Sequence, residues 1–128
     1  MENEYYTLWS NLQKLPAYQN SYELGTIIWD LVMKWDYFAK KSIGEQIVKS
    51  VDSIAANIAE GYGRYFYKDK IKFYYYARGS LLETNAWAAK AIDRGLIRRD
   101  QLEKIQLLTD KLSKDINILI SNTRSQIK

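Results

Sequence analysis

The sequence predicts an all-α fold, an antiparallel up-down-up-down four-helix bundle, on three observations. One proline and six glycines in 128 residues leave few interruptions. Wherever the apolar spacing is regular it is helical, at i, i+4, i+7 and their continuations. The connections between these amphipathic stretches are short, and short loops force neighbouring helices antiparallel. A chain of this length suits one domain with a single core. Residues 1–128 are therefore expected to form one bundle, with its core at about 20–123 and a short N-terminal extension at 1–19.

Pro16 ends the N-terminal segment, read as a loose extra helix. The first strong helix is expected from about Ser21 to Trp35, with Leu24, Ile28, Leu31 and Trp35 on one stripe. Ser42-Ile43-Gly44-Glu45 reads as a capping box, the serine accepting from the N3 amide while the glutamate reaches back, so the second helix is expected to start there. It carries Ile47, Val51, Ile54 and Ile58 and ends near Gly61 or Gly63, since glycine takes the left-handed conformation that follows a helix. A third helix is expected from Lys68 or Asp69 to Arg94, closed by Gly95. A fourth starts at Arg99 or Asp100 and shows Leu102, Ile105, Leu108, Leu112, Ile116 and Leu119 in a heptad-like stripe, with the tail fraying after Thr123.

Composition excludes much chemistry. The absence of histidine and cysteine removes Cys/His zinc sites, thiol nucleophiles, Ser-His-Asp triads and Glu-x-x-His metal ligands. The acids are spread singly along the chain and read as solvated helix faces, so no enzyme, cofactor or metal is expected. The apolar runs are short, and MENEYYTLWS has neither a basic n-region nor an apolar h-region, so no membrane association is expected and a cytoplasmic location is. The net charge of +4 is local: residues 94–128 hold eight basic and four acidic side chains, whereas the rest is balanced.

The stretch Ser53-Ile54-Ala55-Ala56-Asn57-Ile58-Ala59-Glu60-Gly61-Tyr62-Gly63-Arg64, with Ala77-Arg78-Gly79-Ser80-Leu81-Leu82-Glu83 after it, resembles a family signature. It is similar to the bacterial four-helix bundle proteins first noticed as reading frames within intervening sequences of large-subunit ribosomal RNA and often labelled as a ribosomal protein. The resemblance covers roughly residues 20–120. Ala55 departs from it, standing where many members have proline after Ser-Ile. More distantly, the chain resembles the accessory protein of diversity-generating retroelements, a pentameric bundle that binds nucleic acid and a reverse transcriptase. The resemblance implies a ring-shaped homopentamer with a nucleic-acid role and no enzymatic activity.

The motif residues also have physical readings. Asn57, Glu60 and Arg64 share one side of the second helix, with Glu60 and Arg64 spaced for an ion pair. Arg78 lies on the stripe expected to face the bundle, so it needs a partner, and Glu60 or Asn57 is the nearest choice; Asn57, Glu60 and Arg78 are read as a polar cluster fixing helix register. Gly61-Tyr62-Gly63-Arg64 lacks the spacing and the Lys-Ser/Thr of a nucleotide loop and reads as a helix end.

RYFYKDKIKFYYYAR, residues 64–78, holds seven aromatic and five basic side chains, the types that single-stranded nucleic acid binders combine. On a helical wheel, Ile71, Tyr75, Arg78, Leu82, Ala86 and Ala89 form one stripe, assigned to the bundle, and Phe73, Tyr76, Ser80, Trp87 and Ala91 lie nearly opposite. A helix apolar on both sides has two partners, so Phe73, Tyr76 and Trp87 become candidates for an interface between copies. Tyr65 and Tyr67, beside Arg64 and Lys68, remain for stacking on bases, and Arg94, Arg98, Arg99 and Lys104 around Gly95 form a candidate phosphate-contacting corner. The leading reading is a homo-oligomeric scaffold associated weakly with RNA or DNA. The competing one is a protein-binding adaptor without nucleic-acid affinity.

Overall fold

Asn3 opens the first helix, its side chain accepting from the Tyr5 N–H at 2.8 Å. A computed structural model describes residues 3–127, and among them the chain forms helices and turns with no strand. Helix α1, Glu4–Gln13, buries only Leu12 and packs on α2, Pro16–Met33. Helix α2 begins earlier than expected because Pro16 occupies its first turn, where a missing N–H costs nothing. Leu24, Ile28 and Leu31 are buried as their spacing predicts, while Trp35 lies beyond the helix end and is half-buried.

The expected start of the next helix is corrected. Asp36, not Ser42, is the N-cap, accepting from the Ala39 N–H at 2.9 Å. The chain then runs through α3, Tyr37–Ala39, and a π-helical turn, Lys40–Gly44, into α4, Glu45–Tyr62. Ser42 is inside this continuous helix, and its hydroxyl donates back to the Phe38 carbonyl at 2.8 Å instead of capping. The wide turn sits where α2 is close: a Cβ on Gly44 would lie 2.9 Å from Val32 Cγ1. Helix α5, Tyr67–Asp93, and helix α6, Arg99–Arg124, start within two residues of their expected positions.

Helix α2 packs on α4 and α6, and α5 packs on the same two, so the four long helices close a cycle. Hydrogen bonds made by side chains give the directions. Asn20 near the start of α2 donates to Asp115 in the second half of α6, at 2.6 Å, and the Trp35 indole beyond the end of α2 donates to the Leu96 carbonyl just before α6, at 3.0 Å. These two helices therefore run opposite ways. Lys70 to the Tyr62 carbonyl (2.7 Å) and Thr84 to Ser50 (3.1 Å) do the same for α4 and α5. The apolar stripes of α2, α4 and α6 meet inside, where Ile47, Val51, Ile54, Ile58, Leu112 and Ile116 are almost wholly removed from water. Each such side chain contributes about 1.5–3 kcal/mol.

The expected face of α5 is wrong by one residue, or about 100° of rotation. Its buried residues are Tyr74, Ala77, Leu81, Thr84, Ala88 and Ala91, whereas Tyr75, Arg78, Leu82, Ala86 and Ala89 are exposed. Gly61 explains the choice. A Cβ there would lie 2.8 Å from the Tyr74 ring, 3.0 Å from the Lys70 carbonyl oxygen and 3.0 Å from Phe73 Cβ. The helices approach this closely only with small residues between them, and α5 supplies Ala77, Thr84, Ala88 and Ala91. The chain does not use Gly63 as a left-handed cap: its φ is −80°, and the end of α4 is held instead by the Lys70 ammonium on the Tyr62 carbonyl. Gly95, at φ 71°, does close α5 in the left-handed region, as expected.

Two stability outcomes follow. Gly61→Ala should destabilise by about 1–3 kcal/mol despite its better helix propensity, because backbone atoms of α5 cannot yield; urea denaturation reads this directly. Burial, with the nearby Tyr62 adding to it, holds the Tyr74 phenol above its usual value of 10.0. The unfolded chain ionises first, so stability present below about pH 10 should fall as pH rises beyond it. Tyr74→Phe should remove part of that alkaline loss when urea midpoints at pH 8 and pH 11 are compared, at about those two values.

Candidate nucleic-acid interface and polar cluster

The basic candidates fall at opposite ends of α5, whose 27 residues span about 40 Å at 1.5 Å per residue. They cannot form one compact site within a single chain.

At the α5–α6 turn the backbone is well fixed. The Leu96 N–H donates to the Ala91 carbonyl at 2.8 Å, Ile97 is buried, and Trp35 holds the Leu96 carbonyl. Arg94, Arg98, Arg99 and Lys104 are all exposed around it. Arg98 is already engaged: its guanidinium donates to Asp100 at 3.2 and 3.3 Å. That hydrogen bond, with the charge attraction, raises the Arg98 pKa and holds the Asp100 carboxyl below its usual range. The Gln101 side chain accepts from the Arg98 N–H at 2.9 Å and so caps α6. Arg94, Arg99 and Lys104 have no ion pair among the described residues.

At the α4–α5 turn, Tyr65 is 87% exposed, its ring edge-on to Phe66 at 5.1 Å, and Tyr67 and Lys68 are also exposed. Arg64 is not available as an isolated cation, since it pairs with Glu60 at 2.8 Å and lies 4.7 Å from the centre of the Phe73 ring. A hollow between this turn and the chain end is lined by Phe66, Tyr67, Lys68, Asp69, Gln126 and Ile127. Lys70, read from sequence only as one cation among several, is the structural one. Its ammonium caps α4 and burial lowers its pKa.

The expected cluster of Asn57, Glu60 and Arg78 does not form. The one-residue rotation of α5 turns Arg78 to solvent, where it lies 4.7 Å from the Tyr75 ring centre and reaches Asn117 on α6 at 3.3 Å. Asn57 donates to the Ser53 carbonyl of its own helix, and Glu60 keeps Arg64, the i,i+4 pair its spacing predicts. Register between α4 and α5 is marked instead by the buried hydroxyls of Ser50 and Thr84, a pair without any charge to reveal it in the sequence. Of the three interface candidates, Tyr76 is exposed, while Phe73 and Trp87 are half-buried; Trp87 also packs against the chain's own core.

Among the described residues no group of three or more acids, histidines or cysteines is placed to hold a metal ion, and no helix is long and apolar enough to cross a membrane. The geometry thus describes an all-helical protein whose distinguishing features are surfaces. The chain belongs to the 23S rRNA-intervening sequence protein family, whose model matches residues 13–118. It is similar to a crystal structure from Bacteroides thetaiotaomicron VPI-5482, described as a protein with unknown function from the S23 ribosomal protein family. That likeness has a TM-score of 0.72 and 26% identity, over 81% of this chain and 97% of the other. No match was found among curated proteins.

A double-mutant cycle checks the revised cluster. Arg78→Met and Glu60→Gln should be additive within about 0.3–0.5 kcal/mol, as unconnected sites are. Arg64→Met and Glu60→Gln should couple by about 0.3–0.5 kcal/mol, the size usual for exposed i,i+4 pairs.

Proposed function

We propose that the protein is a non-enzymatic, homo-oligomeric four-helix bundle that contacts RNA or DNA weakly, and without sequence preference, through the basic turn around Gly95. The observation that carries this reading is three cations at the α5–α6 connection, Arg94 at the end of α5 and Arg99 and Lys104 in the first two turns of α6, each exposed and none in an ion pair among the described residues. Phosphates would meet unpaired cations there and release counterions, with no base-reading geometry to impose a sequence. Ring symmetry would present the same corner from every copy on one rim, and five copies is the number that the family resemblance implies.

Self-association is supported by the outer face of α5. Leu82 is 72% exposed, with Tyr75, Ala86 and Ala89 on the same side. Gly79 lies among them in mid-helix, and a Cβ there would meet nothing within 4 Å. An exposed mid-helix glycine costs about 0.5–1 kcal/mol relative to alanine, and close approach by another backbone is a reason to keep one. This face lies beside Tyr76, so it extends the interface proposed from Phe73, Tyr76 and Trp87.

Light scattering should give a multiple of the 15.0 kDa chain mass. Leu82→Glu should reduce it with helicity unchanged, whereas Trp87→Glu should also weaken the fold, since that ring belongs partly to the core. A monomeric wild type would rule out the oligomer. For nucleic acid, fluorescence anisotropy should show about micromolar or weaker binding that falls steeply with salt. Changing Arg94, Arg99 and Lys104 together to Glu should abolish it at constant oligomer size. Arg98→Gln together with Asp100→Asn, which removes that ion pair at constant net charge, should matter less. Tyr65→Ala with Tyr67→Ala should weaken single-stranded ligands only. Absence of binding at low salt would replace this reading with that of a protein adaptor.

A further inference from the structure

Three aromatic rings line up across α1 and α2. Trp9 of α1 and Tyr18 and Tyr22 of α2 contact one another in series, with ring centres 6.4 and 6.2 Å apart. Beyond Tyr22 the surface dips into a groove between α2 and α4, about 370 Å³ in volume, with Gly25, Thr26, Ala55 and Trp29 along it. Tyr22 is 64% exposed and Trp29 52%, a large apolar area to leave in water. Asp52 of α4 stands in this groove. Asp52 is exposed, its carboxylate has no hydrogen bond or ion pair among the described residues, and partial desolvation by the groove raises its pKa. Gly25 makes the space: a Cβ there would lie 3.2 Å from Asp52 Oδ1.

We propose that this groove is a docking site for an arginine side chain presented by a partner protein. The chemistry fits in both halves. A guanidinium stacks on aromatic faces and forms two parallel hydrogen bonds with a carboxylate, and both functions converge here within one groove. A phosphate would instead meet an unpaired negative charge, so this is not the nucleic-acid surface. The groove is also too open to enclose a small molecule, which ordinarily buries most of its area. A chain segment is the better occupant. From Tyr18 to Trp29 the site runs about 16 Å, the reach of about five extended residues, and aromatic anchors of this kind dominate protein interfaces.

The test uses the ¹⁵N-labelled full chain and three probes: a capped tripeptide with arginine between two glycines, the same peptide with neutral citrulline, and tetramethylammonium. The arginine peptide should give saturable shifts confined to Gly25, Thr26, Asp52 and the Trp29 indole, about tenfold weaker with citrulline, which keeps the shape but loses the charge. Asp52→Asn should cause a loss of similar size with the spectrum otherwise native. Gly25→Ala keeps the carboxylate but displaces it, and should also weaken binding. Equal binding of the citrulline peptide, an unaffected Asp52→Asn variant, or shifts elsewhere would overturn the proposal. Tighter binding of tetramethylammonium would overturn it in favour of a small-cation box. Movement of the same resonances by an oligothymidine would assign the face to nucleic acid. None of these outcomes depends on Arg94, Arg99 or Lys104, so the basic turn can fail while the groove stands.

Discussion

Gly61 is the constraint on which the arrangement of surfaces depends. With no Cβ, it lets the first turns of α5 lie against the last turn of α4, backbone to backbone, with Tyr74 and Phe73 closing over the contact. Once that end is fixed, the period of the helix decides which residues of α5 point inward for the rest of its length. Thr84 then arrives opposite Ser50 and Ala91 is buried, while Tyr75, Arg78 and Leu82 are turned outward. The glycine at this place is thus a packing requirement, not a flexible hinge or an anion-binding loop.

Much of this was legible in the sequence. The stripes Leu24-Ile28-Leu31, Ile47-Val51-Ile54-Ile58 and Ile105-Leu108-Leu112-Ile116 consist of large aliphatic residues against polar neighbours, so periodicity alone finds both the helices and their inner faces. Helix α5 defeats the same method. Its large apolar residues are spread around the whole circumference, and its buried side is made largely of alanine and threonine, which carry little hydrophobic signal. A wheel weighted by size therefore picks Tyr75 and Leu82, the residues that the close approach of α4 excludes. The Arg78–Glu60 pairing failed with it, since it assumed that face.

Local rules failed for a related reason where a neighbour intervened. Ser42-Ile43-Gly44-Glu45 has the form of a capping box, yet Asp36 caps first and the helix continues through a wide turn past Gly44. Gly63 has the composition of a left-handed cap, but Lys70 reaches across from α5 and satisfies the Tyr62 carbonyl. The positions of exposed cations were legible, though their availability was not: Asp100 and Glu60 occupy Arg98 and Arg64, leaving Arg94, Arg99 and Lys104. The groove at Asp52 was invisible because its parts come from α2 and α4, 23 or more residues apart in the case of Trp29 and Asp52.

The division of surfaces that results is simple. The inside is mainly aliphatic, exposed cations stand at both ends of α5, the outer side of α5 carries Tyr75 and Leu82 beside Arg78, and the α2–α4 groove pairs aromatic rings with a carboxylate. Which residues α5 presents depends on its register on α4, and this register can be measured directly because the chain contains no cysteine. With Ser50→Cys and Thr84→Cys introduced together, mild oxidation should produce an intramolecular disulfide at high yield, visible as faster migration of the denatured, unreduced chain, since the native hydroxyls are 3.1 Å apart. Ser50→Cys with Leu82→Cys should not. A disulfide in the second pair and none in the first would show that α5 is rotated as its large residues suggest, and would contradict the register set by Gly61.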